Sequence, residues 1–280
     1  MRRLLLCLPL CFVLLPGNPR ADSAPKEGLP LPPDLKDDGS TLPGAAEMER
    51  LARTDPIAFL QKCLLRYDRE VKGYRCTLQK QERIDGKLKG TEEIDVQFRE
   101  KPFSVRLDWR SGAGLAQRSL YVKGRSNDQV LVLPTILPRV VGVVERDPEG
   151  KQARQSGRYP LTEFGIKIGT QRALAAWEAA RKRGTLRVEY LGEKRVKETG
   201  DRLCWVLRRT GYEKPEGDGF TPAKEGITQS TFYFDKETWL QVGSVLKGEE
   251  NRLIGSYYFR DVKLNPEFKP GTFTRDALKR

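Results

Sequence analysis

A chain of 280 residues with no histidine and a formal net charge of +13 is excluded from several function classes at once. Without histidine there is no Ser-His-Asp triad, no Cys-His pair and no imidazole metal site. Of the five cysteines, Cys7 and Cys11 lie in the N-terminal apolar run, and no two of Cys63, Cys76 and Cys204 are close enough for a metal-binding pair, so no metal and no cofactor is expected.

Met1-Arg2-Arg3 gives a positive start, Leu4 to Leu15 carries no charge, Pro16-Gly17 breaks the run and Ala21 is small. This is the order of a secretory signal peptide over residues 1–21, cleaved near Ala21. The apolar run is shorter than the ~20 residues a spanning helix takes. Retention as an uncleaved anchor is the alternative, since Pro19 suits a cleavage site poorly. Leu6 and Leu10, before Cys7 and Cys11, are too large for a lipoprotein box. Loss of residues 1–21 removes Arg2, Arg3 and Arg20 and lowers the net charge from +13 to +10. The location expected is periplasmic or otherwise exported. A basic exported protein meets anionic headgroups, acidic polysaccharide or an acidic partner, not nucleic acid. Acids are nonetheless mixed in, as Glu92, Glu93 and Asp95 among Lys87, Lys89 and Arg99, which reads as a solvated surface with a basic bias.

Residues 22–50, with five prolines and three glycines between Pro25 and Gly44, read as a disordered linker. The folded domain is expected over 51–280. It starts with a helix capped by Thr54, with Pro56 in the first turn and Ile57, Leu60, Leu64, Tyr67 and Val71 forming one apolar stripe; Gly73 ends it. The period then becomes two. Tyr74, Cys76 and Leu78 alternate with polar residues, Asp85-Gly86 marks a hairpin, and Ile94, Val96 and Phe98 share a face of the return strand. After Lys101-Pro102, the residues Phe103, Val105, Leu107 and Trp109 alternate most regularly of all. Gln117–Lys123 and Gln129–Leu133 continue the meander. With 1–21 removed, three cysteines remain, allowing one internal disulfide. Cys63 and Cys76 are the better pair because they sit in consecutive elements; otherwise both are small buried apolar residues.

Val130 to Val144 carries one charge, Arg139, and is broken by Pro134, Pro138 and Gly142. It reads as a short buried strand with a covered loop, or as an apolar flap over a cavity. A second helix is expected from Thr162 to about Arg183, with Ile166, Gly169, Ala173, Ala176 and Ala180 as a face of small residues suited to lying close on a sheet. Strands follow at Leu186–Tyr190, Leu203–Leu207, Thr228–Phe234, Trp239–Leu246 and Arg252–Val262, with a polar loop over 213–226. The carboxylate pairs Glu92-Glu93 and Glu249-Glu250 lie on a strand edge and in a turn, without the burial that acid–base work needs; Cys204 has no base. The fold class is α+β, mainly antiparallel β, with about ten strands and two helices.

The run Cys63-x-x-x-Tyr67, Tyr74-x-Cys76-x-Leu78-x-Lys80-Gln81-Glu82-Arg83, Pro102-Phe103-Ser104-Val105 with Trp109, and the closing Asp261 to Pro266 with Phe268 and Phe273 resemble an uncharacterised family of exported bacterial proteins, a domain of unknown function. That family is similar to LolA-type lipoprotein carriers and RseB-type envelope-stress regulators. The resemblance implies an open half-barrel of antiparallel strands whose concave apolar face is covered by two helices, with acyl chains bound between. On that basis the expected function is a non-catalytic envelope carrier or sensor for a lipid acyl chain or lipoprotein partner. Phe103, Val105, Leu107, Trp109, Trp205 and Phe232 are the candidate cavity wall. The alternative is a protein-interaction or scaffold module for an envelope partner, with a basic surface and no small ligand.

Overall fold

Thr54 closes one helix instead of capping the next. The structure, a computed structural model, describes residues 31, 34, 36, 37, 39–212 and 226–279. The signal segment, the first part of the linker and nearly all of the polar loop lie outside the described residues. Helix α1 spans Ala45–Thr54 and α2 spans Pro56–Glu70, so the stretch expected to be linker through residue 50 is helical from Ala45. Asp55 caps α2, its carboxylate accepting the Ala58 amide at 3.1 Å, because Pro56 takes the first helical position and the residue before it must cap. The Thr54 hydroxyl donates back to the Arg50 carbonyl at 2.9 Å. The stripe Ile57, Leu60, Leu64, Tyr67 and Val71 is buried. Asn265 holds the end of α2, donating to the Glu70 carbonyl and accepting the Lys72 amide, both at 2.7 Å. Gly73 opens the first strand, where a Cβ would meet the Phe98 carbonyl oxygen at 2.5 Å.

Among the described residues twelve strands follow: β1 Gly73–Ile84, β2 Lys87–Leu88, β3 Glu92–Arg99, β4 Ser104–Ser111, β5 Ala116–Val122, β6 Val130–Pro134, β7 Val144–Arg146, β8 Arg187–Val196, β9 Arg202–Thr210, β10 Gln229–Asp235, β11 Gln241–Lys247 and β12 Leu253–Leu264. They form one sheet in the order β7-β6-β5-β4-β3-β1-β12-β11-β10-β9-β8, with β2 beside β1. The excess over ten lies in β2 and β7, of two and three residues. Two meanders meet where β1 pairs with β12. Register shifts at Arg75/Thr77, Ala116/Arg118 and Tyr190/Glu193 are bulges that bend and twist the strands. The result is an open antiparallel half-barrel of the α+β class.

Short helices α3 Pro138–Val141 and α4 Lys151–Ser156, then α5 Ile166–Lys182, carry the chain from β7 at one edge to β8 at the other. The helix expected from Thr162 begins only at Ile166, because Gly165 adopts φ 134° after a 3-10 turn over Leu161–Glu163. The Tyr74 phenol oxygen accepts the Ile166 amide at 3.2 Å. Helices α1, α2 and α5 pack on β9 and β10, where Phe59 stands edge-on to Trp205 and Phe234 at 5.6 and 5.0 Å. On the other side of the sheet, Phe273 and Leu278 of the C-terminal segment cover Leu120, Val122, Leu131 and Leu133.

Two expectations are corrected here. Cys63 and Cys76 are free and buried in different apolar clusters, so the bridge is not formed. Burial raises both thiols above the ordinary range, and each acts as a small apolar residue. Trp239 is not in a strand. It sits in the turn before β11 at φ 61°, under the Arg66 guanidinium at 4.6 Å.

Candidate ligand cavity

Every second residue of β1 faces the helices, and cross-strand pairing turns that alternation into rows. Leu78 lies opposite Ile94, and Ile94 opposite Trp109. One row over, Leu107 pairs with Ser119 and Ser119 with Val132. Above these rows α5 presents Gly169, Ala173, Ala176 and Trp177, and between floor and roof lies a cavity of about 970 Å3. That is the upper end of the ~300–1,000 Å3 range of ligand pockets. The small-residue face of α5 does two jobs. Gly169 lies close to the sheet, since a Cβ there would be 3.2 Å from Gln241 Nε2. Ala173 and Ala176 leave volume unfilled.

One side of the cavity is polar. Lys80 Nζ lies 2.8 Å from Glu82 Oε2 and 3.0 Å from Glu92 Oε1. Trp109 Nε1 donates to Glu92 Oε2 at 2.5 Å, and the Tyr257 hydroxyl donates to Glu82 Oε1 at 2.8 Å. Burial pulls the Lys80 ammonium down, but the two carboxylates outweigh it and its pKa is raised. Burial, then the Glu82 charge, pushes the Tyr257 phenol well above its ordinary value. Nearby, Arg172 holds Glu163 at 2.6 Å and stacks on Tyr159 at 4.1 Å. The Glu82 and Glu92 carboxylates are thus engaged as acceptors by fixed donors. The cavity is a largely apolar hollow with a side on which the charges of Lys80, Glu82 and Glu92 are paired with one another.

The six candidate wall residues divide. Leu107, Trp109 and Phe232 line the cavity. Phe103 lines a separate hollow of about 150 Å3 with Glu100, Phe164 and Lys167. Val105 and Trp205 are wholly buried in the core. Sequence reasoning missed Lys80, Glu82 and Glu92. The signal was present, because continuing the alternation past Leu78 puts Lys80 and Glu82 on the inward face. Glu92, taken for an outward strand edge, faces inward, while Glu93 faces outward and pairs with Arg260 at 2.7 Å. The segment 130–144 contributes both wall and surface: Val130, Val132 and Ile136 line the cavity, and Ile136 is also exposed.

No curated protein matches the sequence. Among solved structures, a chain of the Pseudomonas aeruginosa MucA/MucB complex is similar at 14% identity and TM-score 0.44, over 80% of this chain and 62% of that one. The present chain thus spans less than two thirds of that relative. The Mycobacterium tuberculosis lipoprotein LppX is similar at 12% identity and TM-score 0.44, over 77% and 99% of the two chains. A LolA superfamily protein from Nitrosomonas europaea is similar at 12% identity and TM-score 0.31, over 78% and 98%. A family model matches residues 71–278, from the end of α2 through the C-terminal segment. The chain belongs to that family, the proteins of unknown function designated DUF1571.

Proposed function

We propose that this is a non-catalytic cell-envelope protein that holds an acyl chain, free or borne by a lipoprotein, in the concave cavity, as a carrier or sensor. The observation that carries the reading is the cavity of about 970 Å3 with its floor at Leu78, Ile94, Leu107 and Trp109 and its roof at Ala173 and Ala176. An open apolar face of that size is covered by the helices only in part, and leaving it wet is costly. Hydrocarbon removes that cost, while the Lys80–Glu82–Glu92 side meets a polar head. Residues 1–21 act on this reading as a cleaved export signal. Among the described residues no helix is long and apolar enough to cross a membrane.

Mass spectrometry of organic extracts from natively purified protein tests the reading, with acyl-bearing species expected in stoichiometric amount. Ala176→Trp fills the roof and is expected to abolish that lipid and the binding of a fluorescent fatty-acid analogue without lowering Tm. Wild-type protein that yields no lipid and binds no analogue would overturn the proposal. So would an Ala176→Trp variant that folds and binds both as before.

A further inference from the structure

Among the described residues the large apolar side chains that stand exposed are Leu88, Leu115, Ile136, Leu137, Val140 and Val141. They come from three separate connections: the β1–β3 turn, the β4–β5 loop and the β6–β7 connection. Pairing brings these together. Lys80 lies opposite Glu92, Glu93 opposite Ser111, Ala116 opposite Pro134 and Val132 opposite Val144, so all three connections project from the same end of the half-barrel. Isolated exposed apolar residues need no explanation, but a set gathered from three loops at one rim does.

Three further observations say what covers this rim. It is the cavity's mouth, since Asp85, Lys89, Gly112, Leu115 and Ile136 line the cavity and are themselves exposed. Its charge is positive, because the exposed charges on the three connections are Lys87, Lys89 and Arg139 against Asp85 alone. And Leu137 is held in the left-handed region at φ 48° while 63% exposed, a conformation that costs a bulky residue energy. Val140 beside it is 80% exposed. Next to the β1–β3 turn on the same rim, the β11–β12 turn carries the exposed Glu249 and Glu250 with Arg252, which bounds the basic apolar patch on the β12 side.

We propose that this rim docks on the surface of an anionic lipid bilayer, with the α3 connection dipping its apolar residues below the headgroups and the cavity mouth opening onto the membrane. Apolar side chains flanked by cations partition in this way into an anionic interface. An extended surface such as a bilayer can meet all three connections at once, because they leave the half-barrel at one end, and the cations among the apolar residues match anionic headgroups. The inference stands whether or not the cavity holds an acyl chain, and the two fail separately.

The test is flotation of the full chain, as recovered from cells, with vesicles of phosphatidylethanolamine containing phosphatidylglycerol, against vesicles of phosphatidylcholine alone. All variants share one N-terminus, so differences between them report the rim. Wild type is expected to float with the anionic vesicles, more weakly with the neutral ones and less at high salt. Ile136→Ser/Leu137→Ser/Val140→Ser, all on exposed positions, is expected to lose about 100-fold in partitioning with Tm unchanged. Arg139→Glu should lose about tenfold on anionic vesicles and nothing on neutral ones. A wild type that floats with neither vesicle, or a triple variant that floats as well as wild type, would overturn the proposal. If sedimentation shows a dimer that the triple variant abolishes and no flotation occurs, the rim is a self-interface and the proposal fails. If the rim captures an envelope protein and no vesicle, it fails in favour of a protein partner.

Discussion

Lys80 is the residue that holds the polar side of the cavity together. Its side chain is 11% exposed, and it lies between two carboxylates that would otherwise face each other with no cation between them. Lys80→Met leaves Glu82 and Glu92 without their cation, and removing one partner of a buried ionic set costs several kcal/mol. A loss of about 3 kcal/mol in urea unfolding is expected, the low end because the cavity reaches solvent. Adding Glu82→Gln and Glu92→Gln should restore most of it; a triple variant no better than Lys80→Met would mean the charges are not coupled. Glu100 poses the opposite problem. Burial raises its pKa above the ordinary 4.5 although the Tyr67 hydroxyl donates to it at 2.6 Å. A raised folded pKa means that the folded state holds the proton more tightly than the unfolded chain. The stability contributed is therefore complete below the unfolded value and is lost as pH rises through the folded one. Glu100→Gln keeps an acceptor for Tyr67 and removes the buried charge. It should melt above wild type at pH 7, with the gain vanishing below the ordinary carboxylate value; equal gains at both pH values would refute the assignment. This polarity is easily missed in the sequence, because a charged residue on a strand is normally read as outward. Only the unbroken period of two from Tyr74 through Ile84 contradicts that reading.

At the scale of elements, legibility followed amphipathic contrast. The α2 stripe was readable because five large apolar residues repeat at helical spacing and all of them are buried. Helix α1 was not, since proline and glycine upstream mask it and it buries only Met48, Leu51 and Ala52. Its sequence signals are the i, i+3, i+4 spacing of those three residues and the pairs Glu47–Arg50 and Glu49–Arg53, both at 2.6 Å, at the spacing helices favour. These exposed pairs contribute little; α1 is held by packing against α2 and β8 and β9. Phe59 is the central contact of that layer, fully buried between Trp205 and Phe234. Phe59→Ala should therefore cost about 3–5 kcal/mol through the void it leaves, measured by urea denaturation. Because the ligand cavity is walled by other residues, lipid content should stay at the wild-type level under native conditions. Loss of lipid in a folded Phe59→Ala protein would show that this core and the cavity are not separate compartments.

For the molecule as a whole, individual strands could be read from alternation but their order could not. Nothing local says that Tyr74 lies opposite Leu264, across nearly two hundred residues of chain. That pairing decides the mechanical character of the fold. Strand β1 is bonded to β3 on one side and β12 on the other, so neither meander can leave without stripping an edge of the same strand. The Asn265 side chain adds a second tie, joining the end of β12 to the end of α2, and α5 spans from one meander to the other over the cavity. Two halves coupled through one shared strand should unfold together. Native-state hydrogen exchange provides the measure: amides of β3 and β4 and those of β10 and β11 should converge on one opening free energy, equal to the global value from denaturation. Strand β7, three residues long at an open edge, should exchange faster by local fraying, and the rim connections with it. If instead β3 and β4 open at a free energy well below that of β10 and β11, the β1–β12 seam is not the keystone, and the half-barrel is two units sharing a border. In the coupled case a ligand that binds only the folded cavity raises protection in both meanders by the same amount, since each contributes wall residues to it.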